Sequence, residues 1–140
     1  SEEVGVSQIV WSPVAQGVLT GKYQPGQSAP AGSRAADDKG GADMIKRFMD
    51  DEVLTGVQAL KPIADDLGIT MAQLAIAWVL QNPNVAAAII GASRPDQVRD
   101  NVRASGVQLD EYVMAAIDAA VGHLAERDPS RTQVPPTRVA

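Results

Sequence analysis

The sequence contains no cysteine among its 140 residues, and aromatic residues make up only 4% of it. Without cysteine, a disulfide framework and thiolate metal sites are excluded. No apolar run approaches the ~20 residues of a membrane-spanning helix, so we expect no membrane insertion. Residues 1–3 lack the basic and apolar regions of a secretion signal. These absences favour a cytoplasmic protein, and the length fits one globular unit.

Acidic residues outnumber basic residues by 17 to 12, which gives a net charge of −5 at pH 7. This balance argues against general nucleic-acid binding, which requires a basic surface. A small polyanionic ligand needs only a local cluster of positive charge, and Lys22, Arg34 and Arg94 are candidates for one. Arg99 and Arg103 are more typical of a solvated helix face.

The first fifty residues pair a short apolar segment with a long polar one. Residues 6–10 are apolar and β-branched, which predicts a strand that ends at Trp11. Residues 24–41 are rich in Gly, Pro, Ser, Ala and Asp and predict a loop or a mobile flap. Residues 43–52 are amphipathic and predict a helix.

A bent helix is predicted over residues 53–67, where apolar residues recur at three- and four-residue steps. Pro62 lies inside this pattern and removes one backbone hydrogen bond, so the helix should bend there. Gly68 suits the left-handed conformation that ends a helix.

The next helix is predicted to begin at a capping box formed by Thr70 and Gln73. Residues 71–80 are apolar on nearly every side of a helix, Trp78 included. We therefore expect this helix to be buried on most sides.

A second strand is predicted over residues 86–90, followed by a helix from about 95 to 104 that Gly106 ends. Asp110 is the expected cap of a last helix. Residues 128–140 are rich in Pro, Thr and Arg and predict an extended or disordered tail. The apolar face of the last helix contains Val113, Met114, Ile117, Val121 and Leu124.

Strands that alternate with helices indicate an α/β fold with a parallel sheet. Only two strands are visible, however, and both read as buried on two faces. Two parallel strands cannot cover each other's edges or fill a doubly covered sheet. The sequence therefore predicts an incomplete fold.

The clearest ligand signal follows the second predicted strand, where the chain passes through Gly91 into a helix. The N-terminus of such a helix points unpaired N–H groups and a partial positive charge at one place, which suits a phosphate. Arg94, Gln97 and Asn101 lie in the first turns of this helix. This pattern predicts binding of a phosphorylated ligand.

Other ligand motifs are poorly matched. The segment from Gly17 to Lys22 resembles a phosphate-binding Walker A loop, but it is one residue short between its glycines, and Tyr23 replaces the Mg²⁺-binding hydroxyl. No G-x-G-x-x-G sequence occurs, so a Rossmann site has no support. No His, Asp and Glu set has the spacing of metal ligands, and no metal site is expected.

Three segments resemble aldo-keto reductases in the family's order and spacing. Residues 11–23, WSPVAQGVLTGKY, resemble the motif at the seventh strand, and residues 90–97, IGASRPDQ, with Asp100 and Asn101, resemble the phosphate motif at the eighth. Residues 70–80, TMAQLAIAWVL, match the helix between them. The resemblance extends to about Leu124 and is closest to the subgroup that includes potassium-channel β-subunits and their bacterial relatives.

The resemblance implies the C-terminal segment of a (β/α)₈ TIM barrel that binds NADP(H) across the carboxyl ends of its strands. Residues 1–127 would supply the last two strand–helix units and the C-terminal helix, with 24–41 as a loop that covers the cofactor. Residues 128–140 would form the tail. Barrels of this kind do bind phosphate after strands seven and eight.

The resemblance also implies a set of cofactor-binding residues. Trp11 would lie against the nicotinamide, Lys22 and Arg34 near the diphosphate, and Ser93, Arg94 and Gln97 around the 2′-phosphate. Asn101 and Asp100 would contact the adenine, although helix capping alone could also explain Ser93 and Asp96. The remaining members of the set are Ser12, Pro13, Val14, Ala15, Gln16 and Gly91.

No catalytic residue is expected in this chain. The family's Asp, Tyr, Lys and His set lies on earlier strands, which this sequence does not contain. His123, Tyr23 and Tyr112 match no catalytic position.

The first hypothesis is therefore the NADP(H)-binding part of an oxidoreductase that reduces aldehydes and ketones by hydride transfer. Its partners would be a small carbonyl substrate and the missing N-terminal part of the barrel. One alternative is a nonenzymatic, nucleotide-sensing regulatory subunit. Another is an inactive fragment stabilised by self-association.

Overall fold

Two short strands, β1 (Gln8–Trp11) and β2 (Val85–Ile89), run parallel and form the sheet. The computed structural model describes residues 5–126, 128 and 130. Trp11 is in register with Ile89. Since the strands are parallel, both end at the same edge of the sheet, where both predicted ligand motifs begin.

The rest of the described chain is mainly helical, and the element order confirms an α/β fold. The amphipathic segment 43–52 was predicted as one helix, which is wrong. The chain instead forms a short helix from Gly41, a 3₁₀ turn over Lys46–Phe48, and a new helix from Asp51. The helices are α1 (Gly41–Ile45), α2 (Asp51–Ala59), α3 (Lys61–Asp66), α4 (Met71–Leu80), α5 (Pro95–Val102) and α6 (Glu111–Val121).

Local signals between residues 53 and 80 are confirmed. The predicted bend separates α2 from α3, with Pro62 in the first turn of α3, where its missing N–H costs nothing. Gly68 has a φ of +65°, the left-handed conformation expected of a helix end. The Gln73 amide donates to Thr70 Oγ1 (3.1 Å), and the Thr70 amide donates to Gln73 Oε1 (3.0 Å). This is the predicted capping box.

The helices enclose two apolar clusters. One joins α4 to α3 and α6 and includes Leu74, Ala77 and Ile117. The other places Tyr23 and Val57 beside the segment that follows β1. The predicted apolar face of α6 packs on the first cluster through Val113, Met114, Ile117 and Val121.

The expectation that both strands are buried on two faces is wrong for the described residues. Ile9, Trp11 and Ile89 are 67%, 70% and 59% exposed. Trp11 pairs with Ile89 and lies two positions after Ile9, so the three side chains share one face of the sheet, which the described elements leave exposed. Trp78 on α4 is also 44% exposed, so α4 is buried on fewer sides than its apolar composition predicts.

No single helix in the described part of the chain is long and apolar enough to cross a membrane. Residues Asp51–Asp66 and Met71–Leu80 meet that criterion only as a pair, by length and composition, and are bent by 90° at the break between them. Apart from residues 128 and 130, the predicted tail lies outside the described residues.

Candidate functional site

A cleft of about 1480 Å³ opens at the carboxyl ends of β1 and β2. Every residue of the predicted cofactor-binding set lines it except Ala15, which packs against the cluster around Val18 instead. The cleft therefore gathers residues from three segments that are distant in sequence. The predicted residues that line it are Trp11, Ser12, Pro13, Val14, Gln16, Lys22, Arg34, Gly91, Ser93, Arg94, Gln97, Asp100 and Asn101.

The turn after β1 has an unusual backbone. Ser12, Ala15 and Gln16 have φ values of +59°, +47° and +60°, a region that residues with a Cβ atom rarely adopt. Three such residues within five positions cost conformational energy, and strain of this kind concentrates at functional sites. The turn is held by Gln16 Nε2, which donates to Ser12 Oγ at 2.8 Å.

Gln16 also connects this turn to the loop at 24–41. Arg34 Nη1 donates to Gln16 Oε1, so one amide side chain joins Arg34 to Ser12. The acceptor is a neutral amide, so this contact does not pair the guanidinium with an opposite charge. The loop is therefore held against the strained turn by a polar contact that does not neutralise Arg34.

Lys22 lies close to the same turn. A Cβ atom at Gly17 would be 3.3 Å from Lys22 Nζ, and Gly17 itself has a φ of +97°. The ammonium group also lies 5.2 Å from the centre of the Tyr23 ring. Tyr23 is 1% exposed, and its hydroxyl accepts a hydrogen bond from the amide of Ala35 (3.3 Å). Tyr23 thus fixes the loop from inside, as a core residue.

The N-terminus of α5 forms the other side of the cleft. Gln97 Oε1 accepts hydrogen bonds from the amides of Ser93 (2.8 Å) and Arg94 (3.2 Å) and from Ser93 Oγ (3.2 Å). The reading of Ser93 as the helix cap is wrong, because Arg94 occupies the cap position and Ser93 donates its hydroxyl to Gln97. Gln97 organises this turn with its oxygen, and its amide nitrogen is available to a ligand.

The basic residues of the cleft exceed what the sequence predicted. Arg99 and Arg103 are exposed, as the interpretation of a solvated face predicted, and both also line the cleft. Over the whole chain, 12 basic residues are outnumbered by 17 acidic ones. In the lining of the cleft the basic residues are the more numerous. They are Lys22, Arg34, Arg94, Arg99 and Arg103, and the acidic ones are Asp37, Asp38, Asp96 and Asp100. Positive charge is locally enriched. The helical spacing of 99 and 103 was the available signal, but it did not show which way the helix faces.

Arg94 and Asp100 make different kinds of contact. The side chain of Arg94 is 64% exposed, and among the described residues it forms a long ion pair with Asp96 (3.4 Å). The carboxylate of Asp100 instead faces α4, where Gln73 Nε2 donates to Oδ1 at 2.9 Å and Thr70 Oγ1 donates to Oδ2 at 3.3 Å. Arg94 is therefore available to a ligand, and Asp100 is engaged within the protein.

The cleft lining formed by the described residues includes no tyrosine and no histidine. His123 lies elsewhere, 3.9 Å from Glu52, and Tyr112 is 88% exposed on α6. No cluster of three metal-ligating His, Cys, Asp or Glu side chains occurs in the described part of the chain. The cleft thus brings together cationic side chains that can hold an anion.

The cleft lies at the carboxyl ends of parallel strands with a helix N-terminus at one side, which is where proteins of the α/β class typically bind ligands. Residues 1–121 match the model of the aldo/keto reductase family. The chain belongs to that family, which confirms the resemblance.

Relatives agree with this assignment. The chain is 48% identical over 103 residues to a probable voltage-gated potassium channel subunit beta of Arabidopsis thaliana, which covers 74% of this chain and 31% of that protein. A protein of Oryza sativa subsp. japonica with the same description is 42% identical over 131 residues, covering 92% and 38%. The chain therefore spans about a third of the length of these relatives.

A solved structure matches the fold. The glycerol dehydrogenase of Gluconobacter oxydans superposes with a TM-score of 0.65 at 21% sequence identity, covering 99% of this chain and 39% of that one. At this identity the match concerns the fold alone. It shows that the described residues share their fold with part of a longer solved chain.

Proposed function

We propose that this chain is the NADP(H)-binding part of an oxidoreductase that reduces aldehydes or ketones. It would supply the last two strand–helix units and the C-terminal helix of a (β/α)₈ barrel and act in the cytoplasm. The observation that carries the proposal is the convergence of Trp11, Arg34 and Arg94 in one cleft at the ends of two parallel strands. An aromatic surface and two separate cations are what a dinucleotide phosphate requires.

The residues of the cleft fit such a group. Its locally positive lining suits the diphosphate and the 2′-phosphate of NADPH. The strained turn at Ser12 to Gln16 presents backbone groups that an ordinary extended segment would not. Arg34, which lies in the loop at 24–41, contacts this turn by donating a hydrogen bond to Gln16.

Each part of the cleft would then have a role. Lys22 and Arg34 would bind the diphosphate, and Arg94 with the α5 N-terminus would bind the 2′-phosphate. Trp11, 70% exposed at the end of β1, would lie against the nicotinamide ring and fix which face meets the substrate. NADPH would supply the hydride that reduces the carbonyl carbon.

The chemical step needs more than this chain. Family membership supports the view that the proton for the carbonyl oxygen comes from an Asp, Tyr, Lys and His set, which would lie in the N-terminal part of the barrel. That part and a small carbonyl compound are the proposed partners. The role of these 140 residues would be to bind and orient the cofactor while water is excluded by the loop at 24–41.

A second candidate function is a nonenzymatic subunit that senses nucleotides. It is favoured by the relatives that carry the description of a potassium channel subunit beta. The same cleft would bind the nucleotide, but binding would regulate a partner rather than support turnover. Retention of NADP(H) without reduction of any carbonyl compound would favour this function.

The proposal is tested by equilibrium binding of NADPH to the intact natural protein, followed by a panel of aldehydes and ketones. Trp11→Ala should weaken binding about three- to tenfold, the value of an aromatic stacking contact. Tyr112→Ala is the matched control, because this exposed aromatic lies outside the cleft. Absence of NADPH binding by the unmutated protein would overturn the proposal.

A further inference from the structure

α5 is held to the body of the protein in an unusual way. None of its residues is buried, and its two valines, Val98 and Val102, are 48% and 61% exposed. Ala104, just beyond the helix, is 1% exposed and anchors only that end. Apolar burial therefore anchors the chain only beyond the C-terminal end of α5, although the whole helix carries cleft residues.

A polar contact to α4 supplies the missing anchor. Gln73, which is 5% exposed, donates from Nε2 to both the backbone oxygen and Oδ1 of Asp100, each at 2.9 Å. Thr70 Oγ1 donates to Oδ2 of the same carboxylate at 3.3 Å. The capping residues of α4, Thr70 and Gln73, thus also hold α5 at Asp100. We call these contacts between Thr70, Gln73 and Asp100 the brace.

We propose that Gln73 and Asp100 are positioning residues, which hold α5 so that Arg94, Gln97 and Asn101 form the anion-binding side of the cleft before the ligand arrives. This inference rests on the proposed binding of NADP(H). A side chain held in advance loses less freedom when it binds, so the brace should increase affinity.

The brace changes the interpretation of Asp100. The resemblance implied a contact with the adenine, but both carboxylate oxygens face donors on α4. If the Asp100 carboxylate turned toward the adenine base, it would lose the hydrogen bonds that it accepts from the buried amide of Gln73. Asp100 acts through the helix, and recognition of the adenine is left to Asn101.

The decisive comparison uses Asp100→Ala and Asp100→Asn in the intact protein. Alanine removes both acceptors, whereas asparagine keeps an oxygen for Gln73 and places an amide beside Thr70 Oγ1. Amide hydrogen exchange is measured without ligand, and NADPH affinity is measured by titration. Asp100→Ala should accelerate exchange over α5 and weaken NADPH about tenfold, the value of a hydrogen bond to a charged group. Asp100→Asn, which keeps a neutral acceptor for Gln73, should have a much smaller effect on both.

Exchange in the ligand-free protein separates positioning from direct contact. If Asp100→Ala weakened NADPH without changing exchange in α5, Asp100 would be a ligand of the nucleotide and the inference would fail. Faster exchange with unchanged affinity would also overturn it. If the unmutated protein bound no NADPH, the proposed function itself would fail, which is a distinct result.

A second variant guards against loss of folding. Gln73→Glu keeps the oxygen that accepts from the Thr70 amide but places an oxygen opposite Asp100, so it should reproduce the effects of Asp100→Ala. Adding Asp100→Asn to Gln73→Glu restores a donor and acceptor pair of reversed polarity and should recover part of the affinity. No recovery in the double variant, with both single variants folded, would contradict the brace.

Discussion

Arg94 is the residue that we propose distinguishes NADPH from NADH. Its guanidinium is largely exposed and pairs only at 3.4 Å with Asp96, so little must be broken for it to meet a phosphate. Arg94→Ala should weaken NADPH about 10- to 100-fold, the value of charge-assisted hydrogen bonds, and NADH much less. Isothermal titration with both nucleotides measures this difference.

The matched control for this prediction is Arg47→Ala. Arg47 stacks over Phe48, with its guanidinium carbon 4.5 Å from the ring centre, and does not line the cleft. Its removal should change neither affinity. An equal loss of NADPH and NADH in Arg94→Ala would exclude a 2′-phosphate role for this residue.

Gln16 is the residue that joins the loop at 24–41 to the strained turn. Gln16→Ala removes the acceptor of Arg34 and the donor to Ser12 together. We expect amide exchange over the loop to rise about three- to tenfold in the ligand-free protein, as a lost hydrogen bond of ordinary strength predicts. Gln24→Ala is the control, because that amide makes only a long contact with Gly21 (3.4 Å). Unchanged exchange in Gln16→Ala would refute the connection.

At the scale of elements, Asp110 caps the N-terminus of α6. Asp110 Oδ1 accepts from the amide of Val113 at 2.8 Å and satisfies one of the donors at the start of the helix. Asp110→Ala should lower the free energy of unfolding by about 1 kcal/mol, whereas Asp110→Asn, which can cap, should lower it much less. Urea denaturation of the intact protein provides the measurement. Equal losses in the two variants would mean that charge, not capping, stabilises this end.

The elements that could be predicted are those specified by nearby residues. The capping box of Thr70 and Gln73, the left-handed Gly68 and the bend near Pro62 involve residues at most four apart, so composition and spacing were sufficient. The error over 43–52 concerns a helix start inside the segment. Asp50 has an extended backbone (φ −64°, ψ 140°) and is the N-cap of α2, so the helix cannot run through it.

At the scale of the whole molecule, the sheet has an unpartnered apolar face. Ile9, Trp11 and Ile89 lie on it, and neither outer strand edge is paired within the described residues. The 140 residues produced alone should therefore self-associate with increasing concentration, which light scattering detects. They should also show no carbonyl reduction with NADPH. Clear turnover by these residues alone would show that the expected absence of a catalytic set is wrong.

Ile9→Lys tests the origin of that self-association. A charge on the exposed face should reduce assembly markedly, because it must be desolvated when the sheet pairs. Met44→Lys is the control, since Met44 is 55% exposed on α1, away from the sheet. If both variants behaved alike, or the unmutated chain were a monomer at all concentrations, the apolar face would not be the cause.

The sequence by itself determined the α/β class, the family and about half of the residues that line the cleft, because motifs and caps are local in the chain. The tertiary structure alone decided how those residues meet. Arg34 reaches Gln16 across 18 positions, and Gln73 holds Asp100 across 27. It also turned Arg99 and Arg103 toward the cleft and left the sheet face bare. Such contacts depend on how helices dock, and docking depends on surfaces that no single segment of sequence contains.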